Sequence, residues 1–162
     1  MTAPKQALLL PTDERLLGAL GRIAILNSHL ERVLRMTIKS IENMTSEQAL
    51  DATRRLGARE LRKIIIKLAK KRLGEGSELM RLRAIIGRAE RAAEQRNELV
   101  HRVWSHSLDG SPGLLDDRGH LMPMPSAADL YALAGELAAV AQELNQARLK
   151  GFLKEALDRK PR

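Results

Sequence analysis

The chain of 162 residues contains no cysteine and very few aromatic residues. Without thiols it can form no disulfide, no thiolate metal site and no cysteine nucleophile, and a reducing compartment is allowed. Phenylalanine, tryptophan and tyrosine together make up 2% of the residues. Because β-sandwiches and β-barrels depend on aromatic and β-branched side chains, this scarcity argues against both architectures.

Long apolar runs and targeting segments are also missing. The apolar run at residues 7–10 is too short for a signal peptide, and no later stretch reaches the length needed to span a bilayer. We therefore expect a cytoplasmic protein without membrane association. The length predicts a single domain over residues 1–162, with a flexible leader at 1–11 and a basic tail at 157–162.

The abundant residues are Ala, Leu, Arg, Glu and Lys, a composition typical of helices. Apolar residues recur at three- and four-residue steps, and capping residues precede these segments. The first predicted helix is capped by Thr12 and ends near Asn43, and a short helix, capped by Thr45 or Ser46, ends near Gly57. Principal helices follow at 58–73 and 77–103, and the last helix is capped by Ser126. Glycines and prolines at 105–126 predict a small irregular or β-hairpin insert, and the short runs around 103–108, 114–115 and 120–122 are the candidate hairpin strands. The fold class is therefore all-α, a four-to-five-helix bundle with that insert before the last helix.

The candidate chemical site is the sequence RNELVH at residues 96–101, near the end of the helix predicted at 77–103. On a helix Asn97 and His101 are one turn apart, and Arg96 lies about 140° from His101 around the axis. Arginine neutralises charge on a phosphate, histidine transfers protons near neutral pH, and an amide orients either one. The alternative interpretation is a solvated Arg96 and a histidine that caps the helix C-terminus.

This string, followed by Val103 and Trp104, resembles the R-x(4-6)-H signature of the HEPN superfamily of small helical bundles. The order of the helices and the insert also resemble that family. Active members are metal-independent endoribonucleases that work as dimers, with the two motifs meeting at the interface, and other members have no demonstrated activity. The resemblance implies that His101 is the general acid or base, that Arg96 stabilises the phosphorane and that Asn97 positions the ring or a phosphate oxygen. It implies no metal and no cofactor.

Two polar residues of the first helix are candidates to orient this site. Asn27 interrupts the apolar stripe and lies one turn from Glu31. Either this pair holds Arg96 or His101 in place, or Asn27 is a buried amide that fixes the helix register or binds a water. The roles of three other histidines stay open, and their spacing is poor evidence for a metal site. They are His29, His106 and His120.

The formal net charge of +8 favours polyanionic partners, and the helix at 58–73 has the most one-sided charge run. The candidate nucleic-acid-binding residues are Arg59, Arg62, Lys63, Lys67, Lys70, Lys71 and Arg102. No aromatic residues are interleaved with them, which argues against base stacking on this surface. Glu90, Glu94 and Glu98 form an acidic row, which we expect to pair with arginines of the same helix rather than to bind a metal. These arginines are Arg81, Arg83, Arg88 and Arg91.

Together these features predict a ribonuclease in which a 2′-hydroxyl attacks the adjacent phosphate and leaves a cyclic phosphate. RNA is the expected partner, and a homodimer is expected to share the site. The alternatives are a non-catalytic helical module that binds RNA, a nucleotide or a partner protein, and a structural bundle in a larger assembly. No Gly-rich phosphate loop, nucleophile elbow or metalloprotease signature is present. The sequence identifies neither the RNA substrate nor any regulatory or antitoxin partner.

Overall fold

The computed structural model of the chain describes residues 13–106 and 110–160, so the predicted leader lies outside the described residues. Within these ranges there are six helices and three strands. The helices are α1 (Glu14–Glu42), α2 (Ser46–Thr53), α3 (Ala58–Leu73), α4 (Ser77–His101), α5 (Ala127–Lys150) and α6 (Phe152–Arg159). The strands β1 (Val103–His106), β2 (Pro112–Leu115) and β3 (Leu121–Pro123) form an antiparallel sheet in the order β1-β2-β3. The all-α bundle with a small insert is therefore confirmed.

Local sequence signals set most of the helix boundaries. Asp13 caps α1 by accepting a hydrogen bond from a backbone N–H two residues on, whereas the predicted cap, Thr12, lies outside the described residues. Thr45 and Ser126 cap α2 and α5, and each bonds reciprocally with the residue three positions later. Asn43 ends α1 in the left-handed conformation, with a φ of 53°.

The long helices pack as a bundle in which α1 and α4 lie on opposite sides, each against both α3 and α5. Tyr131, near the start of α5, lies against Gly18 and Arg22, near the start of α1, so these two helices begin at the same end. Leu99 on the last turn of α4 and Leu130 on the first turn of α5 line one cavity. The helix that bears the motif therefore ends where the insert begins. In the described part of the chain, no helix is both long and apolar enough to cross a bilayer.

α3 is shorter than α4, so the last turns of α4 are not covered by α3. The helices have 16 and 25 residues, which correspond to about 24 Å and 38 Å. They run antiparallel, and Arg62 in the second turn of α3 lies opposite Glu90, with Nη2 3.8 Å from Oε1. Since α3 begins one turn before Arg62, residues 95–101 of α4 extend beyond it. We call these residues the overhang, and Val100 within it is 58% exposed.

Three boundaries differ from the predictions. α2 ends at Thr53, short of its predicted end near residue 57. α4 ends at His101 rather than at Val103, because Arg102 is extended (φ −79°, ψ 145°) and Val103 already belongs to β1. The insert therefore begins at 103 and contains three strands. The predicted last helix is divided at Gly151, where a Cβ would lie only 3.2 Å from backbone atoms of the preceding turn. Residues 157–159 of the predicted tail belong to α6, and Leu157 is buried.

Candidate functional site

The motif residues lie on the overhang of α4. Arg96 donates from Nη1 to Oδ1 of Asn97 over 2.7 Å. Asn97 and His101 are both exposed and lie one turn apart. The bond to Asn97 draws the guanidinium of Arg96 towards their side of the helix. Position 96 is five residues before His101, which corresponds to a backbone rise of about 7.5 Å. An arginine, an amide and an imidazole thus share an open face, which we call the motif face, and no hydrogen bond among the described residues holds the ring.

The predicted orienting residues are satisfied within their own helix. Asn27 is 5% exposed and donates from Nδ2 to Oε1 of Glu31 over 3.0 Å. They belong to α1, which lies across the bundle from α4. Among the described residues no hydrogen bond or ion pair joins either of them to Arg96 or His101. Their orienting role stays a prediction.

A groove of about 480 Å³ runs between α3 and α4. Its wall on α4 includes Ile86 and Glu90. Its wall on α3 is a single stripe at three- and four-residue steps, made of Arg59, Arg62, Lys63, Ile66, Lys67 and Lys70. Every basic residue of that stripe was predicted to bind nucleic acid. We call this feature the basic groove.

Arg62 differs from the other cations of the basic groove because it is buried, with only 8% of the residue exposed. Its Nε is covered and has no hydrogen-bond partner among the described residues, and its ion pair with Glu90 is long, at 3.8 Å. Burial lowers the pKa of the Arg62 guanidinium, while the carboxylates of Glu90 and Glu94 act in the opposite direction. The structure therefore holds a poorly compensated cation inside a basic groove.

Sequence reasoning treated Arg62 as one more exposed cation. A signal for its burial is present in the three consecutive isoleucines at 64–66. They widen the apolar face of α3, and position 62 lies one turn before Ile65 and Ile66, at the edge of that face. The depth of the burial depends on α4, which the sequence pattern of α3 does not reveal.

Two of the predicted nucleic-acid-binding residues lie apart from the basic groove. Lys71 is exposed and is not among the residues that line it. Arg102 follows α4 and forms an ion pair with Glu98, with Nη2 3.6 Å from Oε2. Glu90 and Glu98 of the acidic row thus pair with arginines, but with Arg62 and Arg102 rather than with the expected arginines of α4. Arg88, one of the expected partners, pairs instead with two carboxylates of α5.

Arg102 and Glu98 face a second cavity, which sequence reasoning missed. It has a volume of about 450 Å³ and lies between the end of α4, the insert and the start of α5. Its apolar wall includes Leu99, Leu114, Leu130, Leu133, Pro123 and Pro125. Arg96, Asn97 and His101 do not line it. The last turns of α4 therefore present two separate surfaces, the motif face and this cavity.

The other histidines are not brought to the motif by any described contact. His29 is exposed on α1, and the side chain of His106 lies outside what the structure describes. His120 lies in the insert with Nδ1 3.1 Å from Oδ2 of Asp116, and its backbone N–H is the main cause of a lowered pKa at Asp116. Within residues 13–106 and 110–160, no group of three or more His, Asp or Glu side chains is arranged to hold a metal ion.

Comparison of the chain with protein-family models, with curated proteins and with solved structures found no match to any of them. The fold and the site by themselves define an all-α bundle with a basic groove and an open motif face. The resemblance to the HEPN superfamily depends on the RNELVH string and on the order of the helices, and it stays a prediction.

Proposed function

We propose that the protein is a metal-independent endoribonuclease of the HEPN type, which cleaves RNA by attack of a 2′-hydroxyl on the adjacent phosphate and leaves a cyclic phosphate. The motif face supports this proposal best, because Arg96 is bonded to Asn97 there while His101 is exposed at the end of the helix. The basic groove supplies cations on the neighbouring helix.

The reaction needs a base that takes the proton of the 2′-hydroxyl and an acid that gives a proton to the departing 5′-oxygen. An imidazole performs either step near neutral pH, so His101 carries one of them. Arg96 neutralises the charge that builds up on the phosphorane, and Asn97 holds the guanidinium or a phosphate oxygen in position. One copy of the motif supplies one histidine, so the second proton transfer is assigned to His101 of a second copy.

The surface beside the motif supports such a dimer. Val100 is 58% exposed and Val103 is 50% exposed, although both are large apolar residues. They lie on and just after the overhang, next to His101. Burying these valines against a second copy would remove apolar surface from water and bring the two motif faces together.

A non-catalytic RNA-binding module is the second candidate. It is favoured by the absence, among the described residues, of any hydrogen bond that fixes the ring of His101. The basic groove can also bind a polyanion whether or not the motif catalyses cleavage. The two candidates make different predictions for a protein that binds RNA, because only the first requires cleavage.

The test is incubation of the protein with a pool of cellular RNA in buffer that contains a chelator, followed by analysis of the product ends. We expect cyclic phosphate ends, and we expect His101→Ala and Arg96→Ala to lower the cleavage rate by about 10²- to 10⁴-fold while RNA affinity is retained. His29→Ala is the matched control, since that histidine is exposed on α1, and it should cleave as the wild type does. RNA binding without cleavage by the wild type would refute the nuclease and support the module.

A further inference from the structure

The basic groove opens onto the motif face. Glu90, which lines the groove, is seven residues before Asn97 and eleven before His101. Positions separated by seven or eleven residues face the same side of a helix, here about 10 Å and 16 Å farther along the axis. The wall of the groove on α4 therefore continues past the start of α3 onto the overhang.

Arg62 places a positive charge in the groove that the protein itself compensates only in part. A buried charge whose nearest ion pair is long destabilises a fold unless something compensates it. A phosphate supplies the missing negative charge and several acceptor oxygens, and the guanidinium is the side chain best suited to receive them. Lys63 and Lys67 are exposed at the rim of the same groove, where they are accessible to neighbouring phosphates.

We infer that the basic groove binds successive phosphates of one RNA strand, with Arg62 receiving a phosphate from inside the groove and Lys63 and Lys67 neutralising its neighbours. The strand then runs along α4 towards Asn97 and His101. No aromatic side chain of the described residues lines the groove, so the strand is held through its backbone and not through its bases. That this strand is the substrate rests on the proposed function, whereas its binding in the groove does not.

The test uses a 2′-O-methyl RNA oligonucleotide, which lacks the attacking hydroxyl, so that binding is measured whether or not the protein cleaves RNA. Affinity is followed by fluorescence anisotropy over a series of salt concentrations. For single strands the slope of log K against log salt is about −0.7 for each neutralised phosphate. Lys63→Ala with Lys67→Ala should therefore reduce the magnitude of the slope by about 1.4. Lys150→Ala is the control, because Lys150 is exposed at the end of α5 and does not line the groove, and it should leave the slope unchanged.

Arg62→Met removes the buried charge and keeps an apolar side chain in its place. We expect the oligonucleotide to bind about 10- to 100-fold more weakly, the loss typical of a hydrogen bond to a charged group. Circular dichroism shows whether the variant folds, and if it does not, the Lys63 and Lys67 double variant decides the question alone.

Three results would overturn the inference. They are an equal change of slope in Lys150→Ala and in the double variant, unchanged affinity in a folded Arg62→Met, and binding to vesicles of anionic lipid without binding to the oligonucleotide. Binding that follows the groove residues in a protein that cleaves no RNA would support the groove and refute only the proposed nuclease.

Discussion

Replacement of Arg62 by methionine should leave the stability of the fold unchanged or raise it, even though only 8% of this residue is exposed. The guanidinium has lost most of its water and gains only a long ion pair with a carboxylate that is itself 53% exposed. A methionine at this position needs no hydrogen-bond partner and packs against Ile66 and Ile86, which line the same groove.

The magnitude follows from the geometry. At 3.8 Å the attraction between Arg62 and Glu90 is about 1 kcal/mol in water and about 4 kcal/mol at the effective dielectric constant near a protein surface. The exposure of Glu90 places the pair towards the lower value, whereas desolvation of a buried ion opposes folding by several kcal/mol. We expect Arg62→Met to change the free energy of unfolding by between about 0 and +2 kcal/mol. For a chain of this length that raises Tm by up to about 8 °C.

The assay is urea and thermal unfolding of a double-mutant cycle that combines Arg62→Met with Glu90→Gln. Glu90→Gln alone should lower the free energy of unfolding by about 1 kcal/mol, because it leaves the buried cation without its carboxylate. In the Arg62→Met background the same change should have almost no effect. A loss of more than about 2 kcal/mol in Arg62→Met, with an unchanged m-value, would refute the reasoning, since the guanidinium would then be a net source of stability.

Three further changes test other parts of the fold. Gly113→Ala should disorder the insert, because a Cβ there would lie 2.6 Å from a backbone oxygen of β3; a shift in the fluorescence of Trp104 with unchanged helical circular dichroism is expected, and an unaltered spectrum would contradict it. Ser126→Ala should lower the free energy of unfolding by about 1 kcal/mol in urea, through loss of the cap of α5, and a neutral result would contradict that role. Arg88→Met removes the bonds that lower the pKa of Glu136 below its ordinary 4.5. Because Arg88 stabilises the charged form of that carboxylate, the variant should be less stable than the wild type by its full amount above pH 4.5, and this difference should shrink as the pH falls below 4.5. A difference in stability that does not depend on pH would contradict this linkage.

The helices were predictable because their signals are local. The predicted bounds of α3, 58 to 73, are those of the structure, and the caps at Thr45 and Ser126 are confirmed. The division at Gly151 was missed because it depends on how closely a side chain would approach the previous turn. The end of α4 was placed two residues too late because its apolar pattern continues to Val103, which pairs with β2 instead. The short runs predicted as hairpin strands at 103–108, 114–115 and 120–122 overlap the three strands of the structure.

The candidate site was predictable only where its residues are neighbours in sequence. The motif occupies consecutive turns of one helix, so its placement on a shared face followed from helical spacing alone. The burial of Arg62 and the existence of the basic groove depend on the packing of α3 against α4. The second cavity joins Leu99, Leu114 and Leu130, which lie on three different elements, and no short pattern in the chain connects them.

The overhang has a consequence for the kind of reaction that such a surface can support. Water reaches Asn97 and His101 directly, since both are exposed on a helix that extends past its neighbour. An enzyme that must keep solvent from competing with its nucleophile usually closes around the reactants. A ribose hydroxyl that is already tethered beside its own phosphate outcompetes bulk solvent by proximity. A surface that water can reach therefore suits cleavage by the strand's own 2′-hydroxyl better than transfer to a free acceptor.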